Sequence, residues 1–124
     1  MATGRSDFPN QINNSLGFPG IFRGALDVRA RTITDAMCIE AAKELARVAE
    51  DKGIHEEYII PNMDEWEVFP REAVAVGTKA TEQGVARFNI PAAERFKMAE
   101  ATIKEARSHV QLLMKESFII DPDK

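Results

Sequence analysis

PREAVAVGTKATEQG, residues 70–84, carries its small residues at a helical interval. Ala73, Gly77, Ala80 and Gly84 stand at i, i+4, i+7 and i+11, so a helix places all four on one face. Pro70 suits the first helical position, where its missing N–H is not needed. A face this small lets another backbone approach closely. Spacing alone leaves open a second use, glycine set against a bound ligand.

The segments on either side are helical too. Residues 34–52 read as a helix with Thr32 and Thr34 as candidate N-caps and Asp35 in the first turn. Met37, Ala41, Leu45 and Val48 recur on one face, and Gly53 is the expected stop. Residues 15–28, SLGFPGIFRGALDV, predict a short helix interrupted by Gly17, Pro19 and Gly20, with Ile21, Phe22, Ala25 and Leu26 as its buried side. YIIP, 58–61, is a strand stub or an extended segment. The linker NMDEWEVF after it is anchored by Trp66, Val68 and Phe69. The last helix is expected from about Pro91 to Ser117. There Phe96, Ala99, Ile103, Ala106, Val110 and Leu113 alternate steps of three and four, either a core-facing stripe or an intermolecular seam. Glu100 and Lys104 form an i, i+4 pair of favourable polarity. The fold class expected is mainly α, with about four helices and room for one small domain.

Composition removes several function classes. A net charge of −4 gives no electrostatic reason for nucleic acid or an anionic membrane as a partner. One cysteine, Cys38, allows no internal disulfide and fits a reducing, cytoplasmic setting. It reads as a small buried or half-buried hydrophobe with no base partner. No signal peptide is recognisable, and no apolar run approaches the roughly 20 residues needed to span a bilayer. No glycine-rich phosphate loop is present. His55 and His109 stand apart from other metal-ligand types and read as surface residues. The acids Asp64, Glu65 and Glu67 lack the further donors of a metal site.

The residues that stand out are GRSDFPNQINN, 4–14, too polar for a strand core or an amphipathic helix. Amides carry both a donor and an acceptor, which suits ligands with carboxamides, hydroxyls or carboxylates. Asn13 and Asn14 precede the first helix, where unpaired N–H groups and the dipole favour an anion. They are equally suited to be caps and turn formers. A ligand loop normally lies between a strand and a helix, so the strand serving this one is expected upstream of Met1.

ATGRSDFPNQINNSLGFPGIFRGALDVRA, 2–30, resembles a block of the bacterial and archaeal malic enzymes, and YIIPNMDEWEVFPREAVAVGTKATEQGVAR, 58–87, looks like the same family further on. The resemblance implies a C-terminal fragment of a doubly wound α/β NAD(P)-binding domain. Residues 1–30 would be the end of that domain and 31–124 a C-terminal helical region. It implies oxidative decarboxylation of L-malate to pyruvate and carbon dioxide, with NAD or NADP and a divalent metal, Mg or Mn. Thr3, Gly4 and Arg5 match the segment that runs beside the dinucleotide. Asn13 and Asn14 match the paired asparagines that bind malate, and Asn13 also approaches the cofactor. The family's catalytic Tyr and Lys, its metal ligands and its phosphate loop have no counterpart here. Tyr58 and the lysines do not match them, so no catalytic residue is expected in this chain and the isolated chain is expected to be inactive. The partner implied is the remainder of a malic enzyme; a helical piece cut from its parent sheet should also expose apolar surface, so the isolated chain is expected to form a homo-oligomer. Two rival readings remain: a non-catalytic helical interaction module, and a stand-alone dinucleotide binder that would lack a phosphate site.

Overall fold

The computed structural model describes residues 1–120. A 3-10 turn, Asn14–Leu16, leads into helix α1, Phe18–Asp27. Helix α2 is Asp35–Lys52, α3 is Val68–Glu82 and α4 is Ala92–Lys115. Four α-helices therefore account for the fold, as expected. Among the described residues strand-type pairing is limited to isolated bridges, Thr3 with Gln11 and His55 with Tyr58. YIIP is thus an extended segment. No helix among the described residues is long and apolar enough to cross a membrane.

Helix α3 is the hub, packed by α1, α2 and α4. The core between the first three consists of Val28, Met37, Ala41, Val76 and Ala80. Helix α1 runs in the same direction as α3, with Gly20 against Glu72, Gly24 against Ala73 and Val76, and Val28 against Gly77. This contact corrects the expected buried side of α1. Gly20, Gly24, Ala25 and Asp27 are buried, whereas Phe22 and Leu26 are 53% and 63% exposed. Turning the glycine edge inward lets two backbones meet, and that edge lies on the side of the helix away from the two large side chains.

Helix α2 starts and stops where its residues direct. The Thr34 hydroxyl oxygen accepts a hydrogen bond from the Met37 N–H at 3.2 Å, and Gly53 takes φ +96 just past the last turn. Its face of Met37, Ala41 and Val48 is buried. Cys38, by contrast, is exposed. It follows buried Met37 directly, and successive helix positions point about 100° apart.

Helix α3 begins at Val68 and not at Pro70. Bonds from the Val68 and Phe69 N–H groups to the Glu65 and Trp66 carbonyls wind the chain two residues earlier. Pro70 still falls in the first turn, where it breaks no helical bond. Ala73, Gly77 and Ala80 are buried as expected, but Gly84 is not part of that face. It lies beyond the helix at φ +68, where its N–H meets the Thr81 carbonyl and turns the chain away.

Gly77 admits a side chain as well as a backbone. A Cβ there would overlap the Arg95 guanidinium and lie 3.2 Å from Val28. Arg95 is buried and donates to the carbonyls of Ile90 at 2.9 Å and Val74 at 3.1 Å, and to the Thr78 hydroxyl at 2.9 Å. These bonds fix α4 across α3. Burial lowers the Arg95 pKa, partly opposed by the charge of Asp27, itself buried and paired with Arg23 at 2.6 Å. Beyond this clamp α4 leaves the body. It has 24 residues against the 15 of α3, and after half-buried Ile103 its Ala106, Val110 and Leu113 are exposed. A core-facing role for that stripe is therefore confined to its first half. The Glu100–Lys104 pair forms at 2.9 Å, and Lys104 also covers the Trp66 ring.

Replacing Gly24 tests the hub. An alanine Cβ would overlap the Ala73 carbonyl oxygen and lie 2.8 Å from Val76 Cβ. Overpacking of this kind costs about 1–3 kcal/mol. Gly24→Ala is expected to lower the urea midpoint accordingly, and an unchanged midpoint would show that the helices do not meet this closely.

Candidate functional site

The loop singled out by composition closes on itself. The Ile12 N–H donates to the Thr3 carbonyl at 2.8 Å and the Thr3 N–H to the Asn10 carbonyl at 3.3 Å. Residues between these points project as an exposed loop. Arg5 and Asp7 pair within it through two bonds at 2.9 and 2.5 Å, and Arg5 lies 5.0 Å from the Phe8 ring centre. The Arg5 bond holds the Asp7 carboxyl below its ordinary range.

Asn10 holds the loop to the body. It is buried, sits at φ 58, and donates through Nδ2 to the carbonyls of Met1 at 3.1 Å and Glu56 at 2.8 Å. Its Oδ1 accepts from the Ile59 N–H at 2.8 Å. Both amide protons and the carbonyl oxygen are therefore engaged internally, in a left-handed conformation that asparagine tolerates. The sequence does not single out Asn10, because two of its three partners lie 46 and 49 residues away.

The two expected ligand asparagines follow at once. Asn13 caps the 3-10 turn, its Oδ1 accepting from the Ser15 N–H at 3.0 Å and the Ser15 hydroxyl at 2.6 Å. The capping role is realised, and it leaves the Asn13 Nδ2 group out of the cap. Asn14 is exposed on the turn itself. Thr3 is half-buried beside the bridge, and Gly4 is exposed with ordinary clearance for a Cβ, 3.8 Å from the Ile12 carbonyl. Thr3, Gly4, Arg5, Asn13 and Asn14 thus lie on one short loop that ends at the start of α1.

Beside this loop runs the linker 62–67. The Ser15 hydroxyl reaches the Met63 sulfur at 3.0 Å, and Gln11, Asn62 and Glu65 help line a cleft of about 500 Å³. Burial alone would raise the Glu65 pKa, but bonds from Lys52, the Asn62 N–H and the Tyr58 hydroxyl lower it. Glu65 is thus an ionised anchor, joined to Tyr58 at 3.0 Å. Asp64 and Glu67 line the same cleft. Among the described residues no three His, Cys, Asp or Glu side chains gather as a metal held by this chain alone would require. His55 and His109 are exposed. A dinucleotide fits in part: the loop offers amide and backbone groups, but Arg5 is engaged by Asp7.

Under the loop lies a residue with no sequence signal, Glu72. Its side chain is fully buried and neither carboxyl oxygen has a hydrogen-bond partner. It packs against Gly17 and Gly20, at the entrance of α1, where a Cβ on Gly20 would come within 2.8 Å of Glu72 Cβ. Burial pushes the carboxyl up to about 9, so it is protonated at neutral pH. A glutamate two residues after Pro70 looks like any other charge in a helix until its neighbours are known to be glycines.

The comparisons with known proteins agree with this geometry. Residues 1–85 match the family model "Malic enzyme, NAD binding domain". The chain belongs to the malic enzyme family. It is 55% identical over 92 residues to an NAD-dependent malic enzyme of Geobacillus stearothermophilus, covering 73% of this chain and 19% of that protein. It is 48% identical over 101 residues to an NADP-dependent malic enzyme of Rhizobium meliloti, covering 70% and 13%. The crystal structure of Entamoeba histolytica malic enzyme superposes with a TM-score of 0.93 at 52% identity, over 97% of this chain and 25% of that one. The chain therefore spans a quarter or less of the length of these relatives. The matched region includes α1, α2 and α3, so the helix hub belongs to the part that resembles a nucleotide-binding domain.

Glu72 predicts a pH dependence. Its folded pKa lies above the unfolded value, so the folded state binds an extra proton between them. Stability from this group is complete below about pH 4.3, the unfolded value, and is lost as pH rises toward about 9. Glu72→Gln should keep the packing and flatten that alkaline decline in denaturant titrations between those limits. A decline of equal slope in the variant would assign it to other groups.

Proposed function

We propose that this chain forms part of a malic enzyme that oxidises and decarboxylates L-malate to pyruvate and carbon dioxide with NAD or NADP. The observation that carries the reading is the match of the whole loop and helix hub to malic enzymes, with the paired asparagines at the entrance of α1. The Asn13 Nδ2 and the Asn14 amide would donate to the carboxylates of malate. The 3-10 turn holds the two in register, and Thr3 and Gly4 would border the nicotinamide end of the cofactor. Hydride transfer belongs to the cofactor itself. This chain's share would be to orient the substrate. The remainder of the enzyme would supply the base and the metal ligands.

A second reading draws on the exposed stripe Ala106, Val110 and Leu113 of α4, which suits a helical interaction module without catalysis. Complementation separates the two. The Entamoeba enzyme, truncated where its match to this chain begins, would be mixed with this chain, and malate-dependent NAD(P) reduction followed. Each piece alone should be inactive and the mixture active, with Asn13→Ala or Asn14→Ala costing about 10²-fold through lost orientation. Turnover by the isolated chain would refute the proposed division of labour, and an active mixture indifferent to both substitutions would remove the asparagines from the site.

A further inference from the structure

The sealed carboxyl of Glu72 is the least explained group in the molecule. It lies against two glycines on one edge of α1. Its Oε1 is 3.8 Å from where a Cβ on Gly17 would stand, and a Cβ on Gly20 would overlap Oε2 and come within 2.6 Å of Cδ. Both oxygens are buried and neither has a hydrogen-bond partner. The seal is made by this chain's own atoms, so further chain packed around it can deepen it but not open it. An apolar residue of this length would fill the space without burying a polar group. A carboxyl here is tolerated only while it is neutral.

No neighbouring charge relieves it. On α1, Arg23 pairs with Asp27 at 2.6 Å. Arg71, next to Glu72 on α3, reaches Glu44 and Asp51 of α2 at 2.7 and 2.8 Å. Arg95 of α4 is spent on Ile90, Val74 and Thr78. In the linker, Glu65 is held by Lys52 and Tyr58. Burial is accordingly the only cause that acts on the Glu72 carboxyl. A short path joins Glu72 to the candidate substrate turn. Gly17 ends the 3-10 turn and also caps α1: its N–H donates to the Asn14 carbonyl at 3.0 Å, and its carbonyl accepts from the Ile21 N–H at 3.1 Å. The Leu16 N–H meets the Asn13 carbonyl at 3.0 Å. Asn13 and Asn14 thus stand on a backbone unit that rests against Glu72. Helix α1 also begins with no side-chain cap and no acidic residue in its first turn. An uncapped start leaves N–H groups that attract negative charge. When Glu72 ionises, the nearest relief is a shift of this entrance that brings those N–H groups, or water, to the carboxylate.

We propose that Glu72 is a positioning residue for the candidate substrate turn: the charge state of its side chain decides where Gly17, and with it Asn13 and Asn14, stands against α3. Neutral, it holds the turn in its place. Charged, it displaces the turn, so the two asparagines lose their register in alkaline solution. The consequence for malate rests on the function proposed above; the coupling of Glu72 to the turn does not.

Carbon-detected NMR of the whole 124-residue chain, which needs no exchangeable proton, tests this between about pH 6 and about pH 10. The Glu72 Cδ resonance should titrate with a midpoint of about 9. The side-chain carbonyl resonances of Asn13 and Asn14 should shift with the same midpoint, while the backbone carbonyls of the core residues Met37 and Ala80 stay in place. Glu72→Gln should abolish the step at both asparagines. Glu72→Met, apolar and of similar length, should do so too, which keeps the test decisive if the amide packs poorly. Asparagine resonances that stay flat through the Glu72 titration, a step that survives both substitutions, or core resonances that move with the turn would each overturn the proposal. So would a Glu72 that titrates in the ordinary carboxylate range. The malate reading is judged apart from this: a complemented enzyme indifferent to Asn13→Ala and Asn14→Ala would remove the ligand role and leave the NMR result standing.

Discussion

The close contact of α1 with α3 is the constraint on which the rest depends. Gly20 and Gly24 bring the backbone of α1 onto the side chain of Glu72 and the carbonyl of Ala73, with no room for a Cβ at either glycine. Because the two helices run in the same direction, the contact fixes the entrance of α1 as firmly as its middle. That entrance is where the 3-10 turn ends and where the candidate substrate loop leaves the body. The same closeness seals Glu72 from water and leaves its carboxyl unpartnered. A buried group of this kind is tolerable only when neutral. At the far end Gly77 admits the Arg95 guanidinium, so one line of small residues positions both α1 and α4.

The loop is held at two points of different character. Asn10 ties it through two hydrogen bonds to the segment 56–59 and a third to the Met1 carbonyl, and Asn13 ends it with a cap. Net bonds of this sort stabilise by about 1 kcal/mol each, but losing one partner strands a buried group. The exposed part between the anchors needs little support of its own. On the function proposed above, the chain would orient the substrate and the remainder of the enzyme would supply the reactive groups.

Local signals were legible in the sequence and distant ones were not. The start and stop of α2 follow from Thr34, Asp35 and Gly53, all close to the residues they serve. The small face of α3 was visible, yet Gly84 was assigned to it when its real task is the turn after the helix. Periodicity could not choose which edge of α1 is buried. Phe22 and Leu26 have the larger transfer energy, but the backbone contact through Gly20 and Gly24 prevails because it is made with an equally small surface on α3. Likewise the apolar stripe of α4 is continuous in sequence, whereas packing stops near Ile103 because α3 ends. Asn10, Glu72 and Arg95 escaped notice because their roles depend on neighbours in other elements. The family resemblance was legible from the residues of the loop, and it was the resemblance that singled out a ligand role for Asn13 and Asn14 where physics left caps and contacts open.

Native-state amide hydrogen exchange measures the central claim most directly. If the glycine-lined contact makes α1 and α3 one cooperative unit, amides in the middle of both helices should exchange with the same free energy and the same denaturant dependence. The exposed end of α4 should exchange far more readily. Exchange of α1 well ahead of α3, with a smaller free energy of opening, would mean that α1 detaches alone, and the account of the loop as resting on a fixed hub would fail.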